Sequence, residues 1–175
     1  INEVLAAGLV LLSGYTGECN FIDPMCGSGT ILIEAAMIAN NVPANINRKE
    51  FGFEKWKDYD EDLFFAIQES LLKKIRNCHF KIMGFDKAPS AVRKANDNIE
   101  NANLTEFIGV HHINFFNSMK EVFGPTTILF NPPYGERLNI DVNEFYKTIG
   151  DTLKHGYPDS TVWFITSDME ALKHV

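Results

Sequence analysis

Apolar positions along the chain fall into two kinds of run that take turns. Short ones read as buried strands: "NFID" (20–23), "FKIMGFD" (80–86), "FIGVHHINFF" (107–116), "TILFN" (127–131) and "STVWFITS" (160–167). Between them lie longer runs of helical character, "EVLAAGLVLLSG" (3–14), "ILIEAAMIANN" (31–41), "DEDLFFAIQESLLKKIRN" (60–77), "SAVRKANDNIENANL" (90–104) and "VNEFYKTIGDTLKHG" (142–156). In 90–104, Val92, Ala95, Ile99 and Ala102 recur at spacings of three and four, the signature of one helix face. Gly14 or Gly17 closes the first helix, Pro43 bounds the second and Gly156 stops the last. A further helix is expected to begin in "DMEALKHV" (168–175).

Five alternations of strand and helix predict an α/β fold, a doubly wound, mostly parallel Rossmann-like sheet covered on both faces. All 175 residues are read as one domain, 1–175, with an aperiodic insertion at about 41–60. Within it, Trp56, Phe51 and Phe53 are expected to pin the insertion to the core. Asp60, Glu61 and Asp62 sit at the positive end of the 60–77 helix and Lys73, Lys74 and Arg76 at its negative end. Such charges suit the macrodipole and require no function.

Doubly wound sheets bind ligands beyond the carboxyl ends of their strands, where strand order reverses. The stretches just past each strand, 23–30, 86–88, 114–116 and 131–135, therefore carry the candidate chemistry. "DPMCGSGT" (23–30) is a glycine-rich turn between a strand and a helix start. It lets backbone approach a ligand and offers unpaired N–H groups. The dinucleotide fingerprint G-x-G-x-x-G needs a third glycine where this chain has Leu32. S-adenosylmethionine, which has no pyrophosphate, fits the residues better. Asp23 would accept from its ammonium, with Pro24, Cys26, Gly27, Ser28, Gly29 and Thr30 forming the bend beneath it. Asp86, followed by Lys87, would accept from the ribose hydroxyls. Asn114 would accept from the adenine amine, while the N–H of Phe115 donates to the ring.

"NPPY" (131–134) ends a strand with an amide, two stiff rings and a phenol. The lone pair of a base's exocyclic amine is delocalised into its ring. Two acceptors placed out of the ring plane pyramidalise that nitrogen and turn its lone pair toward an electrophile. Asn131 supplies one through its side-chain oxygen, and the carbonyl of Pro132 the other, its direction fixed by Pro133. Tyr134 offers a stacking face, a contact of about 1–3 kcal/mol per base. In-line methyl transfer then depends mainly on positioning. A thiol at Cys26 is not needed as a nucleophile. Arg137 is read as a rim salt bridge with Glu136 or another acid, and Arg48 and Lys49 as solvated.

Composition adds few constraints. Hydrophobic residues make up 45%, enough for a sizeable core. Cys19, Cys26 and Cys78 have no ligand spacing and read as reduced thiols of a cytoplasmic protein. The five histidines are scattered, so no metal is expected. No run is long and apolar enough for a membrane span. A net charge of −7 argues against an unaided grip on nucleic acid. The apolar start, with no basic leader or initiator Met, reads as the beginning of an excised fragment.

Three stretches, "FIDPMCGSGTILIEAAMIANNVPANINR", "FGFEKW" and "ILFNPPYGERL", resemble the bacterial methyltransferases that modify guanine N2 of large-subunit ribosomal RNA. These are the RlmL-type enzymes, whose catalytic domain follows an RNA-binding THUMP domain. The resemblance spans essentially the whole chain. It implies a class I S-adenosylmethionine-dependent sheet, a cofactor held by Asp23, Gly27 to Thr30 and Asp86, and a target base held by Asn131 to Tyr134. It also implies an RNA-gripping domain before Ile1 and a closing strand pair after Val175, elements that would answer the charge objection. Asn114 departs from the Asp usual at that place but keeps an acceptor oxygen. The "NPPY" chemistry also suits an adenine-N6 methyltransferase on DNA or RNA, or a protein glutamine methyltransferase. A non-catalytic cofactor- or RNA-binding module is the alternative of a different class.

Overall fold

A computed structural model describes residues 1–133 and 141–175. Five strands, β1 (Asn20–Asp23), β2 (Ile82–Asp86), β3 (Ile108–His112), β4 (Thr126–Phe130) and β5 (Ser160–Phe164), form one sheet in the order β3-β2-β1-β4-β5. Every pairing is parallel. Among the described residues five α-helices flank them, α1 (Glu3–Leu12), α2 (Thr30–Ala39), α3 (Glu61–Leu72), α4 (Pro89–Asn101) and α5 (Val142–Gly156). Both α2 and α3 lie between β1 and β2, and only a 3-10 helix, Phe115–Asn117, separates β3 from β4. The doubly wound expectation holds.

Strand periodicity divides the core in two. Phe21 packs on one face with Val10, Leu32, Ala35, Ala95 and Ile99, joining α1, α2 and α4 to the sheet. Its neighbour Ile22 packs on the other with Ile128, Phe130, Phe145, Tyr146 and Ile149, joining α5. Side chains alternate faces along a strand, and a sheet covered on both sides buries them all. Accordingly β1 and β4 are buried throughout.

Several expectations about element ends are corrected. α2 stops at Ala39 because Asn40 turns its side chain onto the Ala36 carbonyl (2.8 Å) and Asn41 enters the left-handed region at φ 54. Arg76 is no free helix-end charge. It donates to the carbonyls of Ala39 (2.9 Å) and Thr16 (2.6 Å), closing the carboxyl end of α2 from outside. The strand expected over 107–116 ends at His112, because Asn114 caps a 3-10 helix at Phe115–Asn117, and "DMEALKHV" makes only a short 3-10 helix, Ala171–His174.

The insertion holds a 3-10 turn at Gly52–Lys55. Phe51, Phe53 and Tyr59 gather around Phe64 of α3 at ring-centroid distances of 5.8, 5.5 and 6.1 Å. They form a satellite cluster with α3, not an anchor to the sheet's core, and Trp56 is 69% exposed. No helix among the described residues is long and apolar enough to cross a membrane.

Candidate functional site

β1 lies between β2 and β4, so the strand order reverses there. The β1–β4 register aligns Asn20 with Thr126 and Ile22 with Ile128. Asp23 therefore ends β1 near Leu129, with Asn131 two residues further along the neighbouring strand. Both emerge at the carboxyl edge, at the switch point. A cavity of about 380 Å³ opens there.

Its walls bring together most of the sequence candidates. Asp23, Pro24, Cys26, Gly27, Ser28 and Thr30 come from the glycine bend, and Asp86 and Lys87 from the end of β2. Asn114 and Phe115 follow β3, and Asn131, Pro132 and Pro133 follow β4. Gly29 is the exception within the bend. It is the residue before α2, at φ 81, and a Cβ there would meet the Ala95 Cβ at 3.2 Å. Its place is a close approach of α2 to α4 rather than the cavity wall. Tyr134, Glu136 and Arg137 lie outside the described residues.

The bend is built by hydrogen bonds that tie it to β2. Cys26 N–H donates to the Phe85 carbonyl (2.9 Å), Gly27 N–H to Asp86 Oδ2 (3.0 Å) and Gly29 N–H to the Cys26 carbonyl (2.9 Å). Gly27 takes φ 55, and the space a Cβ would fill is open. Gly84 makes the close approach possible from below. A Cβ on it would strike Leu32 Cδ1 and come within 3.1 Å of Cys26 Sγ.

Asp86 is thus partly a structural acceptor. One oxygen holds Gly27 and the other takes the N–H of Ala88 (2.9 Å), fixing the turn into α4. Each oxygen keeps a second lone pair for a ligand. The Asn114 side-chain oxygen likewise accepts from Phe116 N–H at 3.2 Å.

Asp23 is only 1% exposed. Its Oδ1 accepts from Met25 N–H (3.1 Å), and Oδ2 takes no hydrogen bond from the described residues. Burial lifts its pKa to about 8; the Met25 N–H opposes this and the Asp86 charge adds to it. A buried acid with one free oxygen in a cavity wall suits a cation. Burial, with Asp23 and Asp86 nearby, also pushes the Cys26 thiol well above its ordinary range, so it is no nucleophile.

Sequence reasoning gave no role to the apolar part of the wall: Ile1, Met25, Ile31, Phe116 and Phe145. Phe116 and Phe145 meet edge to face at 5.6 Å. Met25 and Phe116 lie inside the flagged stretches 23–30 and 114–116, where attention went to the polar groups and the glycines. Phe145 sits in the first turn of α5, and nothing in its local pattern separates it from a core residue. Among the described residues, no cluster of His, Cys, Asp and Glu could hold a metal ion.

The family model UPF0020, described as RMKL-like, methyltransferase domain, matches residues 1–175. The chain belongs to that family. A curated relative, the "Ribosomal RNA large subunit methyltransferase K/L" of Colwellia psychrerythraea, is 39% identical over 98% of this chain and 25% of its own length. The chain thus spans about a quarter of the curated relatives it matches. Among solved structures, SMU.472, crystallised in complex with SAH, superposes with a TM-score of 0.90 at 30% identity. It covers 99% of this chain and 46% of that one. A "predicted N6-adenine-specific DNA methylase" from Listeria monocytogenes gives 0.87 at 30% identity, with the same coverage.

Proposed function

We propose that this domain transfers a methyl group from S-adenosylmethionine to an exocyclic amine of a base in large-subunit ribosomal RNA, guanine N2 being the target. The carrying observation is the single cavity shared by Asp23, Asp86, Asn114 and Asn131-Pro132-Pro133. Membership of a methyltransferase family, relatives named for ribosomal RNA and a neighbour crystallised with SAH support the reading.

The residues present fit the cofactor: a buried acid with a free oxygen, a glycine with open space beside it, and acceptors after β2 and β3. When bound, S-adenosylmethionine supplies a methyl group activated on a sulfonium. Asp23 holds the ammonium end, the Cys26–Ser28 backbone passes beneath it, Asp86 accepts from the ribose hydroxyls and Asn114 accepts from the adenine amine. Phe115 and Phe116 exclude water beside them, which strengthens every polar contact inside.

Opposite them, Asn131 and the Pro132 carbonyl accept the two amine hydrogens of the target base, turning its lone pair into the cavity. Pro133 stiffens that carbonyl, and Tyr134 stacks on the ring. A base in a helix or stack must first be everted to reach this position. The surplus proton on the methylated nitrogen leaves to solvent, since such a nitrogen is strongly acidic. A net charge of −7 is poor footing for an unaided grip on RNA, and relatives about four times as long support a grip supplied by other parts of a longer protein.

The test supplies labelled S-adenosylmethionine and unmodified ribosomal RNA to the domain and to its Asn131→Ala variant. Label on guanine N2, reduced about 10²-fold or more in the variant while SAH affinity stays level, is the expected outcome. Label on adenine N6 would instead support the DNA-methylase name of the Listeria neighbour. Label only on protein would overturn the nucleic-acid reading.

A further inference from the structure

α3 is a twelve-residue helix, EDLFFAIQESLL, with no buried residue. Seven of its twelve positions are apolar, a composition that a solvated helix has no reason to carry. A helix of this length is marginal in water without packing. It rests on the domain through half-buried Phe64 and the aromatic cluster of the insertion. Leu63, Ile67 and Leu71, spaced four apart on one stripe beside Phe64, are left 57, 51 and 41% exposed. A contiguous apolar stripe of this kind marks an interaction surface.

The charges at its ends indicate what covers it. Asp60, the N-cap whose carboxylate holds the Leu63 N–H at 2.9 Å, precedes the stripe, and Lys74, just past the C-cap Lys73, follows it. Glu61 and Asp62 strengthen the acidic end, and Lys73 the basic one. Two copies laid antiparallel about Ile67 bring every element into register. Asp60 then faces Lys74 of the other copy, Leu63 faces its Leu71, and Ile67 meets Ile67 on the two-fold axis. A self-complementary patch of this kind is what a two-fold dimer requires. Parallel pairing would instead stack acid on acid and base on base.

We infer that the exposed face of α3 is a homodimer interface, in which two copies of this chain pair antiparallel through Leu63, Ile67 and Leu71. A helix of about 18 Å buries less than the roughly 1,200–2,000 Å² of a stable specific interface, so the pairing is weak. The dimer is therefore concentration-dependent, and the opposed charges at its rim set orientation more than strength.

The experiment is sedimentation of the 175-residue chain over a wide concentration range. The expected result is a shift from 19.8 kDa toward twice that mass. Ile67→Glu, an exposed substitution that leaves the fold intact by circular dichroism, raises the dissociation constant at least about tenfold, equivalent to about 1.4 kcal/mol. Lys74→Glu, which sets acid against Asp60, weakens the dimer further at low salt than at high salt. Ile67→Cys forms a disulfide-linked dimer under mild oxidation, whereas Glu69→Cys, on the far side of the helix, does not. A monomer at every concentration overturns the inference, and so does a dimer that Ile67→Glu leaves unchanged or that cross-links equally through position 69.

Discussion

Protonation of Asp23 is expected to control ligand affinity, and the size of the effect follows from its surroundings. Burial holds this acid's pKa at about 8, against an ordinary value of 3.8. In the empty domain at pH 7 only about a tenth of the molecules carry the carboxylate. The ammonium of SAH stabilises the charged form, so binding releases a proton whenever the acid starts neutral. Below the raised pKa, apparent affinity therefore climbs about tenfold, or 1.36 kcal/mol, for each pH unit gained between roughly pH 5.5 and 7. The slope flattens as pH approaches 8. Isothermal titration with SAH, in two buffers of different ionisation enthalpy, measures both the affinity and the proton released, close to one per site. Asp23→Asn keeps an oxygen for Met25 N–H but has nothing to titrate, so it binds weakly with no slope. A wild-type affinity independent of pH, or an equal slope in the variant, would refute the reasoning. The same shift has a stability consequence of opposite direction. The folded state keeps a proton that the unfolded chain has lost, so Asp23's contribution to stability declines as pH rises from about 4 to about 8 and is level above that. Asp23→Asn removes this decline in a denaturant series.

Two further perturbations address the frame of the site. Gly84→Ala forces a methyl against Leu32 and Cys26 beneath the glycine bend; it should cost about 1–3 kcal/mol in urea unfolding and lower SAH affinity with it. Arg76→Met removes the donors on the Ala39 and Thr16 carbonyls. It should cost about 1–2 kcal/mol in thermal or urea unfolding, with SAH affinity unchanged because the carboxyl end of α2 is remote from the cavity.

Legibility in the sequence followed the range of the interaction concerned. β1, β2 and β4 were readable because buried parallel strands are continuous apolar runs, and α4 because its apolar face repeats at helical spacing. The cavity's polar residues were readable because each directly follows a strand, where the fold class alone locates ligands. Contacts between distant segments were not. Arg76 belongs by pattern to the end of α3, and only the packed structure shows it closing α2. Gly29 carries the same local signal as Gly27, yet the proximity of Ala95 gives it a different task. Phe51 and Phe53 looked like anchors because aromatic residues usually reach a core; here α3 itself stands off from the sheet and takes them with it. Phe145 became a wall residue through the docking of α5, which no short stretch of sequence encodes.

The pairing of Asn20 with Thr126 also bears on how the domain is made. The two strands that carry the halves of the cavity lie more than a hundred positions apart, so a long loop must close before they can meet, a slow step for parallel pairing. On the ribosome, β1, β2 and β3 emerge first and can join with α1, α2 and α4, while Ile22 waits on a bare face for β4 and α5. A nascent chain at that stage has half a core and no place for a base. It presents an open β1 edge to the cell, the stage at which aggregation or chaperone capture is most expected.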